Sequence, residues 1–235
     1  MIANQSTVIK VSLLIPTLDQ SGAEKQLSLL ATSLPREEFE VQVIALTRGG
    51  PYETLLRQHN IPVTILNKRF KFDPLAYRAL KKTIEQQQPD ILHTWLFAAN
   101  SYGRMAVRRM SKTLKTPKVI VSERCVDSWK SNWQHNVDRR LLPQTSLLVG
   151  NSQSVVDFYE EKGVPASILR VVPNGIPIPE VTSTESIRKE LFQQQDIPDD
   201  ARLMAFVGRL ARQKRIEDLL WTVQLLRQMN EKIIL

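Results

Sequence analysis

Met204–Leu220, MAFVGRLARQKRIEDLL, sets an apolar run, a basic loop and a helix start side by side. Leu203, Met204, Ala205, Phe206 and Val207 are apolar without interruption and stop at Gly208, the pattern of a parallel strand covered on both faces. Ile216, Leu219, Leu220, Val223 and Leu226 then recur at three- and four-residue steps, which puts one apolar stripe on a helix. Arg209 and Lys214 flank the loop between strand and helix. Free backbone N–H groups and the helix dipole favour an anion there, and two cations aimed at one place suit a diphosphate.

The same strand-then-helix order fills the chain upstream. Val8–Ile15 predicts a strand ended by Pro16, followed by a polar loop and a helix from Ala23 with Leu27, Leu30, Ala31 and Leu34 inward. Val41–Leu46 is a second strand, closed by Arg48-Gly49-Gly50-Pro51. A helix over Tyr52–His59 and a strand over Val63–Leu66 come next, with His59 read as a solvated helix end. Asp73-Pro74 predicts an N-cap and first helical residue for a helix that turns Leu75, Leu80 and Ile84 inward. Asp90–Trp95 is a strand carrying His93 near its carboxyl end, and a helix is expected from Ala98 to Lys115. Strand 118–121 leads to Glu123 and Arg124, which point to opposite sides so that one of them faces a cleft. An irregular stretch with Trp129, Lys130, Trp133 and His135 follows; it marks an acceptor surface, a membrane-facing loop or a cap on the core. Strand Ser146–Gly150 ends at Asn151, with Ser152 as the next N-cap and Gly163 as that helix's end. Strand Ile168–Val172 ends in a tight Asn174-Gly175 turn.

About seven strands thus alternate with helices, which argues an α/β fold with a parallel sheet covered on both faces. Gly22, His93, Glu123, Arg124, Asn151 and Asn174 collect after successive strands, on the edge where open α/β sheets bind ligands. Residues 175–184, stiffened by Pro177 and Pro179, are the expected hinge. The organisation expected is a complete lobe over residues 1–178 and, over 179–235, the first βα unit of an incomplete second lobe that lends the Gly208–Lys214 loop to the cleft.

The totals bound the class. The hydrophobic share of 42% and charged share of 24% are those of a globular protein and give no sign of disorder. Cys125 is the single cysteine, which excludes an intramolecular disulfide and suggests a reducing compartment. No basic, apolar leader pattern and no run of ~18 apolar residues occurs, so the expected location is cytoplasmic. The net charge of +8 is concentrated around Arg104, Arg108, Lys112 and Lys115, one helical face with no acidic residue between. That face is either simply solvated or in contact with anionic lipid head groups at the membrane periphery. Nucleic acid is the weaker option, because no recognition module or aromatic stacking set accompanies the charge.

Gly208-Arg209-Leu210 with Lys214, preceded by Val171-Val172-Pro173-Asn174-Gly175-Ile176-Pro177, resembles the retaining GT-B glycosyltransferases of the family-4 type. Ser21-Gly22-Ala23-Glu24 is similar to that family's Gly-Gly-Ala-Glu loop, with Ser21 in place of the first glycine. Arg215 stands where the family usually has Gly after the lysine. The resemblance implies a Rossmann-like GT-B architecture and transfer of a sugar from a nucleotide-sugar donor to a saccharide or lipid-linked acceptor. Arg209 and Lys214 would hold the diphosphate, helped by Gly22, Gly208 and Asn174. His93 would face the donor sugar, and Ser21, Glu123, Arg124 and Asn151 would line the cleft. No cofactor or metal is implied, in keeping with the lack of any Asp-x-Asp pair. The family's Glu-x7-Glu motif is not in the chain, so the chain is expected to be a piece of a longer enzyme with little activity alone. The alternatives are a sugar-nucleotide epimerase of the same fold and a non-catalytic module that binds anionic lipid or phosphate. A dinucleotide oxidoreductase is disfavoured because no Gly-x-Gly-x-x-Gly follows the first strand.

Overall fold

The computed structural model describes residues 8–110, 113–178, 180, 184–208, 210, 212–229 and 232–235. The chain divides into two compact units, Met1–Ile176 and Pro177–Leu235.

In the first unit β1 (Ile9–Thr17), α1 (Gly22–Ser33), β2 (Phe39–Arg48), α2 (Pro51–Gln58), β3 (Val63–Ile65), α3 (Pro74–Gln87) and β4 (Ile91–Trp95) come first. They are followed by α4 (Leu96–Arg108), β5 (Lys118–Glu123), α5 (Asn132–Leu141), β6 (Leu147–Gly150), α6 (Gln153–Glu161) and β7 (Leu169–Val171). The strands form one seven-stranded sheet in the order β3-β2-β1-β4-β5-β6-β7, and every pairing in it is parallel.

Side-chain alternation along β1 sorts the core. Leu14 joins Ile44, Leu92, Leu80 of α3, and Ala99 and Tyr102 of α4 on one face. Val11, Leu13 and Ile15 join Val43, Leu27 and Ala31 of α1, and Leu56 of α2 on the other. Both faces of the central strands are therefore dry, which is why they read as continuous apolar runs. Asp73 caps α3 as expected, accepting from the backbone N–H groups of Leu75 and Ala76 at 2.9 and 3.2 Å.

Four local expectations are corrected. Pro16 does not end β1, which runs to Thr17; the pairing with β2 shifts register between Ile15 and Thr17, so an irregularity takes up the residue that cannot donate. Leu75 lies on the solvent side of α3, not inward. The stretch around Trp133 is helical, because Ser131 and Gln134 form a capping box. No tight turn forms at Asn174-Gly175; the segment is held by a side chain from elsewhere, as described below.

The second unit contains α7 (Thr184–Gln194), β8 (Arg202–Leu203), α8 (Ile216–Gln228) and β9 (Ile233–Ile234), with β8 and β9 paired in parallel. Among the described residues Phe192, Ala201, Val223 and Ile233 are buried in it. The strand expected over 203–207 is only its first residue here, preceded by Arg202, and Val207 is 97% exposed. On α8 only Val223 of the expected stripe is buried, and Leu220, Trp221, Leu225 and Met229 face solvent. A strand is covered on both sides only where further helices and strands exist to cover it.

Gly103 of α4 tests how closely that helix meets the sheet. A Cβ there would stand 2.6 Å from Thr94 Cγ2 and 3.2 Å from Leu14 Cδ2. Gly103→Ala is expected to destabilise the first unit by roughly 1–3 kcal/mol through overpacking, outweighing a helix-propensity gain of ~1 kcal/mol. A urea titration should show a lower midpoint.

Candidate functional site

The strand order reverses direction between β1 and β4, so the crevice beyond their carboxyl ends is the place where an open α/β sheet binds a ligand. From β1 comes the loop to Ser21, the N-cap residue of α1, in extended conformation at φ −142°. No left-handed backbone is required at this position, so serine serves as well as glycine. Gly22 is exposed, with nothing within 4 Å of where a Cβ would be. Behind it Glu24 is buried in the first turn of α1, accepting hydrogen bonds from Thr17 Oγ1 at 2.9 Å and from Ser21 Oγ. The β1–α1 loop is thus tied to its own helix.

From β4 comes His93, which alternates with the core residue Leu92 and so points to the same side as Trp95. Its Nε2 lies 2.8 Å from Ser122 Oγ of β5, and its ring is 5.0 Å from that of Trp95. Strand β4 passes directly into α4 at Leu96, a non-glycine residue at φ +69°. This conformation costs of the order of 1 kcal/mol for a residue with a Cβ, and it sits where functional strain is commonly held. Arg124, just past β5, lays its guanidinium 4.8 Å from the Trp95 ring centroid and donates to Asn174 Oδ1. The adjacent Gly175 is clamped by one side chain of α1: Gln26 Oε1 accepts from its N–H at 2.9 Å, and Gln26 Nε2 donates to its carbonyl at 2.7 Å. Ser122, His93, Trp95, Arg124, Asn174, Gly175 and Gln26 therefore form one continuous line of contacts along the carboxyl edge. Trp95 Nε1 and Asn151 Oδ1, buried at the same edge, have no hydrogen-bond partner among the described residues. Such groups are costly unless a ligand or water pairs them.

Of the expected site residues, His93, Arg124 and Asn174 are brought together here, with Ser21, Gly22 and Asn151 at the ends of neighbouring elements. Glu123 is not in the cleft. It is 2% exposed and turned under the rim, where Asn100 Nδ2 and Lys130 Nζ contact Oε1 at 3.0 and 3.3 Å. Lys130, in the stretch read as an acceptor surface, a membrane-facing loop or a cap on the core, is buried as well. Its Nζ touches Asp127 at 2.9 Å, Asp138 at 3.3 Å and the Tyr159 hydroxyl at 2.7 Å. Tyr159 in turn donates to Asp127 at 2.6 Å.

Arg104 belongs to this network, and with it the expected basic face is corrected. Its guanidinium is buried and pairs with Asp138 at 2.5 Å. α4 ends at Arg108, and Lys115 pairs with Asp90 well beyond it. Lys112 lies outside the described residues. A cation spaced as if on a solvated face is turned inward because the carboxylate of Asp138, on another helix, is there to receive it.

Gln26, Trp95 and Ser122 were missed by sequence reading, while Glu24 was read only as the last residue of the Ser21–Glu24 loop. Trp95 alone left a signal, being an aromatic at the end of a strand already carrying His93. Gln26 meets a glycine far along the chain, and no spacing rule reaches that distance.

In the second unit, Gly208 closes the segment after β8, and Phe206 packs against it so that a Cβ would stand 2.9 Å from the ring. Arg209 lies outside the described residues. Lys214 ends a single 3-10 turn, Arg212–Lys214, with its side chain exposed. Arg215 follows in left-handed conformation (φ 50°, ψ 45°) and pairs with Asp218. That geometry is the one glycine adopts most easily, so the glycine usual at this place in the resembling enzymes has a backbone reason. Among the described residues no group of three or more His, Cys, Asp or Glu is placed to hold a metal ion, and no helix is long and apolar enough to cross a membrane.

Burial and the Arg124 charge press the His93 pKa down to about 3, so the ring is neutral at physiological pH and can donate or accept a hydrogen bond. Burial pushes Glu123 up to about 7, against the opposing pull of Lys130. Lys130 is lowered by burial but raised on balance by Glu123, Asp138 and Asp127, and stays charged. Burial and Asp127 push the Cys125 thiol up to about 11, which leaves it a poor nucleophile at neutral pH.

Comparison with known proteins meets this geometry. The model of the family described as Glycosyltransferase Family 4 matches residues 20–179. The chain is 30% identical over 122 residues to a Campylobacter jejuni enzyme, GalNAc-alpha-(1->4)-GalNAc-alpha-(1->3)-diNAcBac-PP-undecaprenol alpha-1,4-N-acetyl-D-galactosaminyltransferase. The match covers 48% of this chain and 32% of that enzyme, so the chain spans about a third of its length. Among solved structures, Anabaena HepE in complex with UDP superimposes with a TM-score of 0.71 at 20% identity, covering 96% of this chain and 68% of that one. The UDP-GlcNAc 2-epimerase of Methanocaldococcus jannaschii gives a TM-score of 0.53 at 14% identity, covering 96% of this chain and 73% of that one. The fold is thus α/β, Rossmann-like and of the GT-B kind, and the glycosyltransferase fits it better than the epimerase does.

Between pH 7 and 5, His93 and Glu123 act in opposite directions on stability. As pH falls from 7 to 5 the unfolded chain protonates His93, ordinary value 6.5, before the folded one, which costs ~2 kcal/mol. Over the same window the folded protein protonates Glu123, ordinary value 4.5, before the unfolded one, which adds ~2 kcal/mol. The wild type should therefore melt at nearly the same temperature at pH 5 and 7. Glu123→Gln removes only the second contribution and should melt several degrees lower at pH 5 than at pH 7. Equal melting of the variant at both values would refute the assignment.

Proposed function

Since this chain belongs to glycosyltransferase family 4, we propose that it supplies the acceptor-side lobe and the first diphosphate-binding loop of an enzyme that transfers a sugar from a nucleotide sugar to an acceptor hydroxyl with retention. The observation that carries this reading is the line of His93, Trp95, Arg124 and Asn174 along the carboxyl edge of the sheet, beside the β1–α1 loop. A neutral imidazole there suits hydrogen bonding to an uncharged pyranose, which a buried cation would not. The UDP in the HepE complex and the PP-undecaprenol in the Campylobacter enzyme's name support a uridine nucleotide donor and a saccharide or lipid-linked acceptor. We place the reaction at the cytoplasmic side of the cell envelope, in the synthesis of its polysaccharides.

In the step itself, the bond from the anomeric carbon to the diphosphate oxygen breaks while the acceptor hydroxyl forms its bond on the same face, through an oxocarbenium-like transition state, and the hydroxyl's proton passes to the departing diphosphate. Negative charge grows on the departing phosphate. Arg209, by its place in the sequence, Lys214 and the N–H groups at the start of α8 are the donors we assign to stabilising it, a role that needs no metal ion. In the first unit Gly22, with nothing within 4 Å of where a Cβ would be, suits close backbone approach of a ligand, and Asn174 lies on the same edge.

The exposed apolar side chains of the second unit, Val207, Leu210, Trp221 and Met229 among them, suit a surface that further protein covers in a working enzyme. The 235-residue chain alone is accordingly proposed to turn over little.

Incubated with labelled UDP- and GDP-sugars and a polyprenyl-diphosphate saccharide, the purified chain should transfer less than one sugar per molecule, with the same trace product in EDTA. Multiple turnovers would end the fragment reading, loss in EDTA the metal-free one, and a free epimer in place of a glycoside the transferase itself. UDP binding, followed by 31P line broadening, should weaken about tenfold in Lys214→Ala, the scale of one charge-assisted contact. His93→Ala should leave UDP binding unchanged and weaken UDP-sugar binding; an unchanged Lys214→Ala chain would remove the diphosphate assignment.

A further inference from the structure

In the pairing of β4 with β5, His93 lies opposite Ile120 and Trp95 opposite Ser122. Alternation along the two strands turns Leu92, Val119 and Val121 to the α4 face, so His93, Trp95 and Ser122 share the other. Ser122 is thus the diagonal neighbour of His93. It is 1% exposed, and its carbonyl accepts from Asn100 Nδ2 of α4 at 3.3 Å, which holds its backbone in place. Among the described residues its hydroxyl has one partner, His93 Nε2 at 2.8 Å. The His93 ring also rests against Trp95, 5.0 Å away between centroids, so its orientation is fixed from two sides.

A neutral imidazole has one N–H and one lone pair, and the bond its one nitrogen makes decides which the other presents. Two arrangements give the same 2.8 Å contact. In the first, Nε2–H donates to Ser122 Oγ, and the hydroxyl hydrogen is left without an acceptor among the described residues although the side chain is closed to water. In the second, the hydroxyl donates to Nε2, and no buried hydrogen of the pair goes unused. A buried donor left unpaired costs its full desolvation and is rare in folded proteins, so the second arrangement wins. The ring proton then sits on Nδ1. That nitrogen has no partner among the described residues and is not one of the buried unpartnered atoms, so it is the side of the ring a ligand meets. Burial and the nearby Arg124 keep the ring neutral, the state in which this choice exists.

We propose that Ser122 is a positioning residue that fixes His93 as its Nδ1–H form, so that the rim offers a ligand a hydrogen-bond donor and no base. The neighbours agree with this polarity. Arg124 has donors only, and the one acceptor beside it, Asn174 Oδ1, is already taken by Arg124 itself. The rim therefore matches a ligand whose own lone pairs face it, such as the hydroxyl or carbonyl oxygens of an uncharged saccharide. This ligand half rests on the sugar-transfer reading and deepens it, since a donor at His93 takes no proton from an acceptor hydroxyl. The tautomer half stands on the Ser122–His93 pair alone.

The tautomer is read from long-range 1H–15N correlation spectra of the full chain at neutral pH. Among His59, His93 and His135, the His93 signals are those lost in His93→Asn. Nδ1 is expected at the shift of a protonated nitrogen and Nε2 at that of an unprotonated one. Ser122→Ala removes the donor, and both shifts should move toward averaged values as the two forms interconvert. Ser122→Thr keeps a hydroxyl in place and should keep the wild-type pattern. Circular dichroism and melting check the folding of each variant, and the wild-type spectrum decides the assignment even where Ser122→Ala fails to fold. A proton on Nε2, protons on both nitrogens, or unmoved shifts in folded Ser122→Ala would overturn the proposal. For the ligand half, binding of UDP-glucose is compared with that of UDP by 31P line broadening. Asparagine at position 93 brings an amide N–H near the place of Nδ1, and glutamine near that of Nε2. His93→Gln should therefore weaken UDP-glucose binding about fivefold, the scale of one neutral hydrogen bond, while His93→Asn weakens it less and neither changes UDP binding. Equal loss in the two variants would overturn the donor role. A wild-type chain that binds UDP-glucose no better than UDP would remove the sugar contact and the ligand half with it, while the spectra still read the Ser122–His93 pair by itself.

Discussion

A parallel sheet that is dry on both faces leaves polar side chains one way out, the ends of its strands. In this protein α1 and α2 cover one face and α3, α4 and α6 the other, so the polar groups of the candidate site are confined to the carboxyl edge. The reversal of strand order between β1 and β4 then opens that edge, because the helices leaving the two strands pack on opposite faces. His93, Trp95, Arg124 and Asn174 meet there for reasons of topology before any reason of chemistry.

The edge is stiffened from two sides. From above, Gln26 of α1 clamps Gly175 through both of its amide atoms, and Arg124 bridges Asn174 to Trp95. From below, Lys130 and Arg104 hold Glu123, Asp127 and Asp138 in a buried network that fixes the loop between β5 and α5. Such a network is weak evidence for stability, since desolvating the charges costs about as much as pairing them returns. Its value lies in determining one conformation for a loop that has Arg124 at one end and Trp129 near the other. A neutral His93 beside a fixed guanidinium is the electrostatic result, a polar but uncharged surface next to a cation.

Legibility in the sequence followed the range of the interaction. The strand–helix alternation, the Asp73 cap and the polar residues after successive strands were all readable, because periodicity and capping are properties of neighbouring residues. Arg104 shows where that reading stops. Its spacing with Arg108 describes a helical face correctly, but whether the face is solvated depends on Asp138, which packs against it from another helix. Lys130 is the same case, drawn inward by carboxylates on β5 and α5. In the second unit the apolar run 203–207 reads as a buried strand, and only its start is strand here, because burial needs neighbours as well as composition.

What the sequence by itself determined is therefore the α/β class, the apolar identity of the strands and the kind of residue that ends each of them. Hydrophobic periods of 2 and 3.6 report which way a side chain faces within its own element. The tertiary structure alone decided which strand lies beside which, which cations are solvated, and that Gln26 meets Gly175 across most of the chain. Those outcomes depend on close packing between elements distant in sequence, where a contact's partner is selected by shape and charge in three dimensions and leaves no local pattern behind.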